Sequence, residues 1–150
     1  MTDQASGLTF DVVFIPTDKV QQVYPMVELE VKTTLDKAQN GYDQHDILKL
    51  LNEGQMNLWI IFDKVNKKKM AFIISEIINR PQVNFISIFM TIGANRKIWE
   101  TKAQTTLEQF ALKNNCQKAM IIARKGWSKS FKTTGYKETH ILLEKQLKKG

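Results

Sequence analysis

Apolar positions along this chain change their period several times, and each change marks an element. LTFDVVFIP (Leu8 to Pro16) alternates, is rich in β-branched and aromatic residues and stops at a proline, which predicts a first strand. From Lys19 to about Ala38 the residues Val20, Val23, Val27, Val31 and Leu35 recur at helical spacing, so one helical face carries them. Thr17 or Asp18 can cap this helix, and Pro25 breaks or kinks it. NGYDQHDILKLLNEG then predicts a second helix: a turn, a capping aspartate at Asp43 or Asp46, an apolar face of Ile47, Leu48, Leu50 and Leu51, and a stop at Gly54.

Three strands follow, Met56–Asp63, Met70–Ile78 and Val83–Ile92, and their short links KVNKK and NRPQ suit the hairpins of an antiparallel meander. Asn95–Asn115 reads as a long helix with Ile98, Trp99, Ala103, Thr106, Leu107, Phe110 and Ala111 on one side. Lys118–Ala123 is a short buried strand, Trp127–Thr133 a brief helix ended by Gly135, and Tyr136–Leu147 alternates as a closing strand. The order, β-α-α-β-β-β-α-β-α-β, fits an α/β sheet with helices on both faces, while several sheet topologies stay open.

Composition narrows the class of protein. At 150 residues the chain fits one domain with one sizeable core, and residues 1–7 and 148–150 are expected to be flexible ends. LWIIF and FISIFM, the longest apolar runs, fall far short of a membrane span, and MTDQASGLTF lacks the pattern of a secretory signal. Cys116 is the single cysteine, which excludes an internal disulfide and reads as a buried, inert thiol. The net charge of +7 comes almost wholly from lysine, with Arg80, Arg96 and Arg124 the only arginines. Lysine suits diffuse solvated charge better than base reading, so Lys64, Lys67, Lys68 and Lys69, and Lys145, Lys148 and Lys149, read as solvated surface. Contact with phosphate or an acidic protein is the functional alternative.

This order resembles the GNAT fold of N-acetyltransferases over almost the whole chain. The resemblance implies a mixed, mostly antiparallel sheet with helices on both faces. More narrowly, LWIIFD with its meander and the ending NNCQKAMIIARKGWSKSFKTTGYKETHILLEKQL look like a group of small GNAT-like proteins encoded by tailed bacteriophages. Cys116, Arg124, Lys125, Gly126, Trp127, Gly135, Tyr136, Thr139 and Leu143 carry that likeness.

An acetyltransferase of this kind holds the pyrophosphate of acetyl-CoA on backbone amides between the fourth strand and the next helix. The family pattern there is Arg or Gln, two residues, Gly, one residue, then Gly or Ala. This chain has TIGANRKIWETKA: Gly93 and Ala94 are small and Arg96 and Lys97 attract phosphate, but the spacing differs and Ile98, Trp99, Glu100, Thr101 and Lys102 follow. These four residues are vestigial candidates for a cofactor site, and acetyl-CoA is expected only if the protein is an active enzyme. The family's proton donor, often a tyrosine four residues before the last conserved glycine, corresponds to Phe131 before Gly135, which has no hydroxyl. The usual asparagine of that segment falls near Arg124.

Other chemistry is thinly represented. Glu76 is the best general-base candidate, against a plain solvated carboxylate. His45 and His140 lie far apart with no metal-ligand spacing, and Ser128 and Ser130 lack a nucleophile elbow. Trp59 reads as core, whereas Trp99, Lys125, Trp127, Lys129 and Lys132 are candidates for an interface. Three functions follow: a noncatalytic interaction protein of a phage particle, joined to other virion proteins or to copies of itself in a ring; an active acetyltransferase of the cytoplasm; and a basic nucleic-acid-associated protein. The altered cradle and Phe131 favour the first, which is made in the host cytoplasm and ends in the virion.

Overall fold

Strand and helix periods in the sequence become five strands and five α-helices in the computed structural model, which describes residues 9–38, 40–123 and 128–148. β1 (Phe10–Ile15) leads through two 3-10 turns and α1 (Val20–Val23) into α2 (Glu28–Ala38). Pro25 sits in the second of those turns, so the predicted long helix is divided where proline cannot supply a donor. α3 (Gln44–Asn52) opens on a reciprocal cap: Asp43 accepts from the amides of His45 and Asp46, and Asp46 accepts from the amide of Asp43, each at 2.9 Å. Gly54 ends the helix region with φ +77°, a left-handed conformation that suits glycine.

β2 (Met56–Asp63), β3 (Lys68–Asn79) and β4 (Asn84–Gly93) form the expected meander, α4 (Arg96–Lys113) crosses over, and β5 (Lys118–Ile121) lies parallel to β4. The sheet order is β1-β2-β3-β4-β5, antiparallel except for the last pair. A short α5 (Ser128–Lys132) follows.

Helices cover both faces. On one, Leu58, Ile60, Phe72, Ile74 and Met90 pack with Val20, Val27, Val31, Leu35, Ile47 and Leu51 of the first three helices and their turns. On the other, Trp59, Ile61, Ile73, Ile86 and Ile88 pack with Trp99, Ala103, Leu107 and Ala111 of α4. Being covered twice, β2 is buried continuously from Leu58 to Ile61, not at alternate positions. Cys116 is buried and its thiol pKa is raised by desolvation, matching the inert reading.

Two expectations need correction. Ile98 is 56% exposed although it was placed on the apolar side of the long helix; neighbouring helical residues point about 100° apart, and Trp99 takes the inward direction. The closing strand Tyr136–Leu147 forms no ladder: the segment has no assigned secondary structure and is exposed from Lys137 to Lys148. Residues 1–7, 149 and 150, expected to be flexible, lie outside the described residues.

Candidate functional site at the split of the sheet

β4 contains one residue more than its neighbour needs. Ile74 pairs with Met90 and Ser75 with Ile88, so Phe89 is a bulge. The parallel pairing of β4 with β5 ends at Ile88 opposite Ile121, at the same point. Beyond it, among the described residues, Phe89–Gly93 has β3 on one side and no strand on the other. Tyr42, in the loop before α3, sets its ring edge against Phe89 at 5.4 Å. Neither the bulge nor this aromatic pair was foreseen, because FISIFM is apolar throughout and an extra residue leaves no break in its pattern.

The start of α4 stands at the mouth of this split. Gly93 has φ +152°, and a Cβ there would lie 2.3 Å from the Cβ of Ala71, 2.7 Å from its Cα and 2.9 Å from the carbonyl oxygen of Met70. Glycine is therefore demanded by the neighbouring strand, with which Gly93 pairs through Ala71. Ala94 uses its carbonyl to accept the indole N–H of Trp99 at 2.9 Å. Asn95 takes a left-handed conformation (φ 59°, ψ 40°), and its side chain gives the helix no cap. Arg96 donates from Nε to Glu100 at 2.9 Å and from Nη2 to the hydroxyl of Ser130 at 2.8 Å.

Asn95, Arg96, Lys97, Ile98, Glu100, Lys129 and Ser130 line an open hollow. The structure thus brings Arg96 and Lys97 together with Lys129, and adds a carboxylate that had not been singled out. Uncapped amides and three cations suit an anion, but Glu100 already neutralises Arg96 and opposes an incoming phosphate. Behind the hollow, Ile73, Ile88, Thr91, Trp99, Gln104 and Phe131 surround a space of about 20 Å³, enough for one water molecule. Gln104 is buried there with its Oε1 unpartnered in the structure. The glycine of this turn serves sheet packing and core side chains fill the interior behind it, while the hollow in front of the α4 amides is open, with a volume of about 440 Å³.

Phe131, the residue in the proton donor's place, is buried and meets the ring of Tyr136 edge-on at 5.2 Å. Tyr136 carries the hydroxyl that Phe131 lacks. Burial, with a smaller contribution from Glu108, pushes its pKa up to about 12, so it stays protonated at neutral pH. The sequence offered Tyr136 only as a mark of likeness; it stands five residues after Phe131, just past the turn at Gly135.

Glu76 sits beside the bulge, paired with Met56 on β2 and Ser87 on β4, away from the start of α4. It is half-buried, and desolvation raises its carboxyl pKa. Raised in the fold, this carboxyl lowers stability as pH climbs from the unfolded value, about 4, through the folded one. Glu76→Gln is therefore expected to raise Tm at pH 7 by roughly 1–3 °C, a figure kept small for a half-open site, with no gain below about pH 4. Scanning calorimetry across pH checks this, and a lowered Tm at pH 7 would show that the carboxylate is held by a partner.

The remaining candidates separate. Trp99, offered as an exposed anchor, is 1% exposed and belongs to the core, because its indole packs under α4 while its N–H reaches Ala94. Trp59 is buried as expected and donates to Ser75 at 3.0 Å. Lys129 and Lys132 are exposed, the latter paired with Glu138 at 3.3 Å. Lys125 and Trp127, with Arg124 and Gly126, lie outside the described residues. His45 and His140 are exposed, and no three His, Cys, Asp or Glu residues among the described ones gather as metal ligands. Among the basic clusters, Lys64 pairs with Asp11 and Lys69 with Glu30, so their charge is partly offset. No helix among the described residues is long and apolar enough to cross a membrane.

Solved structures share this architecture. An aminoglycoside acetyltransferase from an uncultured soil metagenomic sample, in complex with sisomicin, matches 93% of this chain and 97% of its own with a TM-score of 0.67 at 12% identity. The glucosamine-6-phosphate N-acetyltransferase of Arabidopsis thaliana matches 93% and 99%, with a TM-score of 0.66 at 12% identity. An acetyltransferase of Trypanosoma brucei matches 92% and 99%, with a TM-score of 0.67 at 9% identity. No family model and no curated protein matches the sequence. The fold is that of the GNAT acetyltransferases, as expected from the element order.

Proposed function

We propose that this chain uses the acetyltransferase fold without transferase chemistry, as a protein that joins other chains in an assembly. One observation carries the reading: the turn where the fold would hold a pyrophosphate is tied into the chain's own packing and hydrogen bonds. Arg96 is engaged by Glu100 and Ser130, Trp99 fills the space beneath, and Gly93 answers to Ala71. Fold alone does not carry activity, which depends on the site placed upon it. The likeness of the chain's ending to small phage-encoded proteins supports a virion component, tail- or connector-associated, that meets other virion proteins or further copies of itself. Lys129 and Lys132, with Lys125 and Trp127, remain the candidate contacts.

An active acetyltransferase is the second reading, favoured by the uncapped amides of α4 beside Lys97 and Lys129 and by the protonated hydroxyl of Tyr136. Calorimetry separates the two. Acetyl-CoA titrated into the full chain is expected to give no binding heat up to about 1 mM, whereas a dissociation constant tenfold or more below that favours the enzyme. Mass spectrometry of purified particles tests the virion role, since a structural component is present at stoichiometric copy number.

A further inference from the structure

Charge is unevenly divided along the fold. Residues 17–53, which build the α1–α3 layer, hold seven acidic residues against four lysines, whereas residues 94–150, which include α4 and α5, hold four acidic residues against thirteen lysines and arginines. The positive excess therefore belongs to the α4 half of the chain. On α4 the two carboxylates turn inward: Glu100 is held by Arg96 with its side chain 16% exposed, and Glu108 is half-buried near Tyr136. The exposed positions carry Lys97, Lys102 and Lys113, with the hydrogen-bond donors Thr101, Thr105 and Gln109 between them, and no acid. Ile98 and Leu112 complete this face.

Lys102 and Lys113 stand three helical turns apart, so they point within about 20° of one another and lie about 16 Å apart along the axis. Lys129 of α5 lines the hollow with Lys97 and extends the row past the start of the helix. Among the described residues none of these four lysines has a carboxylate at ion-pair distance, in contrast to Lys64 and Lys69. A rigid row of unpaired cations is the complement of a polyanion with regularly repeated charge, such as a nucleic-acid backbone. A protein partner fits less well, because lysine is depleted where proteins meet, no aromatic side chain stands exposed on α4, and its one arginine is engaged by Glu100 and Ser130. Single strands are held on stacked aromatic rings, so the same lack favours a duplex.

We propose that the outer face of α4, with Lys129 at one end, binds the phosphate backbone of duplex DNA without reading its sequence. Lys97, Lys102, Lys113 and Lys129 displace condensed counterions, and Thr101, Thr105 and Gln109 donate to phosphate or sugar oxygens. No base is read, since the bidentate arginine contacts that would do so are absent from this face. Such binding goes beyond the assembly reading and does not depend on whether catalysis is retained.

Fluorescence anisotropy of a labelled, mixed-sequence DNA duplex of about 30 base pairs, titrated with the full chain, is expected to give a dissociation constant on the order of 10 µM at about 50 mM salt. With four phosphate contacts, binding is expected to weaken roughly 100-fold by about 200 mM. Lys102→Gln/Lys113→Gln is expected to weaken binding at least about tenfold at the lower salt and to make the salt slope shallower by about two. Lys19→Gln/Lys49→Gln removes the same charge from the opposite face of the sheet and is expected to change the constant less than about threefold. All four lysines are exposed, so far-UV circular dichroism is expected to stay unchanged in both variants. No anisotropy change up to about 100 µM chain at the lower salt, or equal weakening by the two pairs, would overturn the proposal. Displacement of the duplex by polyglutamate at equal charge concentration would overturn it too, and would mark an acidic protein as the partner.

Discussion

Gly93→Ala is expected to destabilise the fold by about 3–5 kcal/mol and lower Tm by roughly 10–15 °C. Two costs add. At φ +152° an L-residue is strained whatever the space, and the new methyl would stand 2.3 Å from the Ala71 Cβ and 2.7 Å from its Cα. The first clash can relax if Ala71 loses its methyl, but the second involves main chain. Ala71→Gly placed in the Gly93→Ala background should therefore recover only part of the loss, on the order of 1 kcal/mol of coupling in a double-mutant cycle. Thermal or urea unfolding measures all four proteins. A Gly93→Ala protein as stable as its parent would sink the packing explanation and return Gly93 to a ligand-binding role.

Periodicity made the architecture legible because each helix and strand buries one side against a sheet that both layers share. The alternation of LTFDVVFIP and the helical spacing of Val27, Val31 and Leu35 are local consequences of that burial, and both survive in the structure. The features that define the site are not local. Gly93 is glycine because of Ala71, a residue on the next strand, and nothing in TIGANRK announces that contact. The Phe89 bulge is a mismatch between two strands, visible only when both are aligned. Ile98 and Trp99 are adjacent apolar residues in the first turn of α4, and composition cannot say which turns inward.

The closing segment fails for a related reason: alternation reports what a strand would bury, without saying whether a layer is there to bury it. Phe131 was legible as a missing hydroxyl, while the hydroxyl of Tyr136 against the same ring depends on how the chain turns after α5.

Trp99 offers the second large effect, and it separates a core residue from an interface residue. Trp99→Ala is expected to cost about 3–5 kcal/mol, because it removes a side chain that is 1% exposed and opens a cavity against Ile73, Ile88 and Leu107. Trp99→Phe keeps most of the apolar contact but removes the donor that reaches the Ala94 carbonyl at 2.9 Å, and is expected to cost about 1–2 kcal/mol. That bond ties the first turn of α4 to the loop holding Asn95 in its left-handed conformation. Amide exchange at Asn95 and Arg96 should therefore quicken in the Phe variant more than exchange in β2 and β3, which a purely global loss of stability would not produce. Denaturant unfolding gives the two energies. If Trp99→Ala left Tm unchanged while abolishing self-association, Trp99 would be an exposed anchor, and the filled interior behind the α4 amides could no longer be held against catalysis.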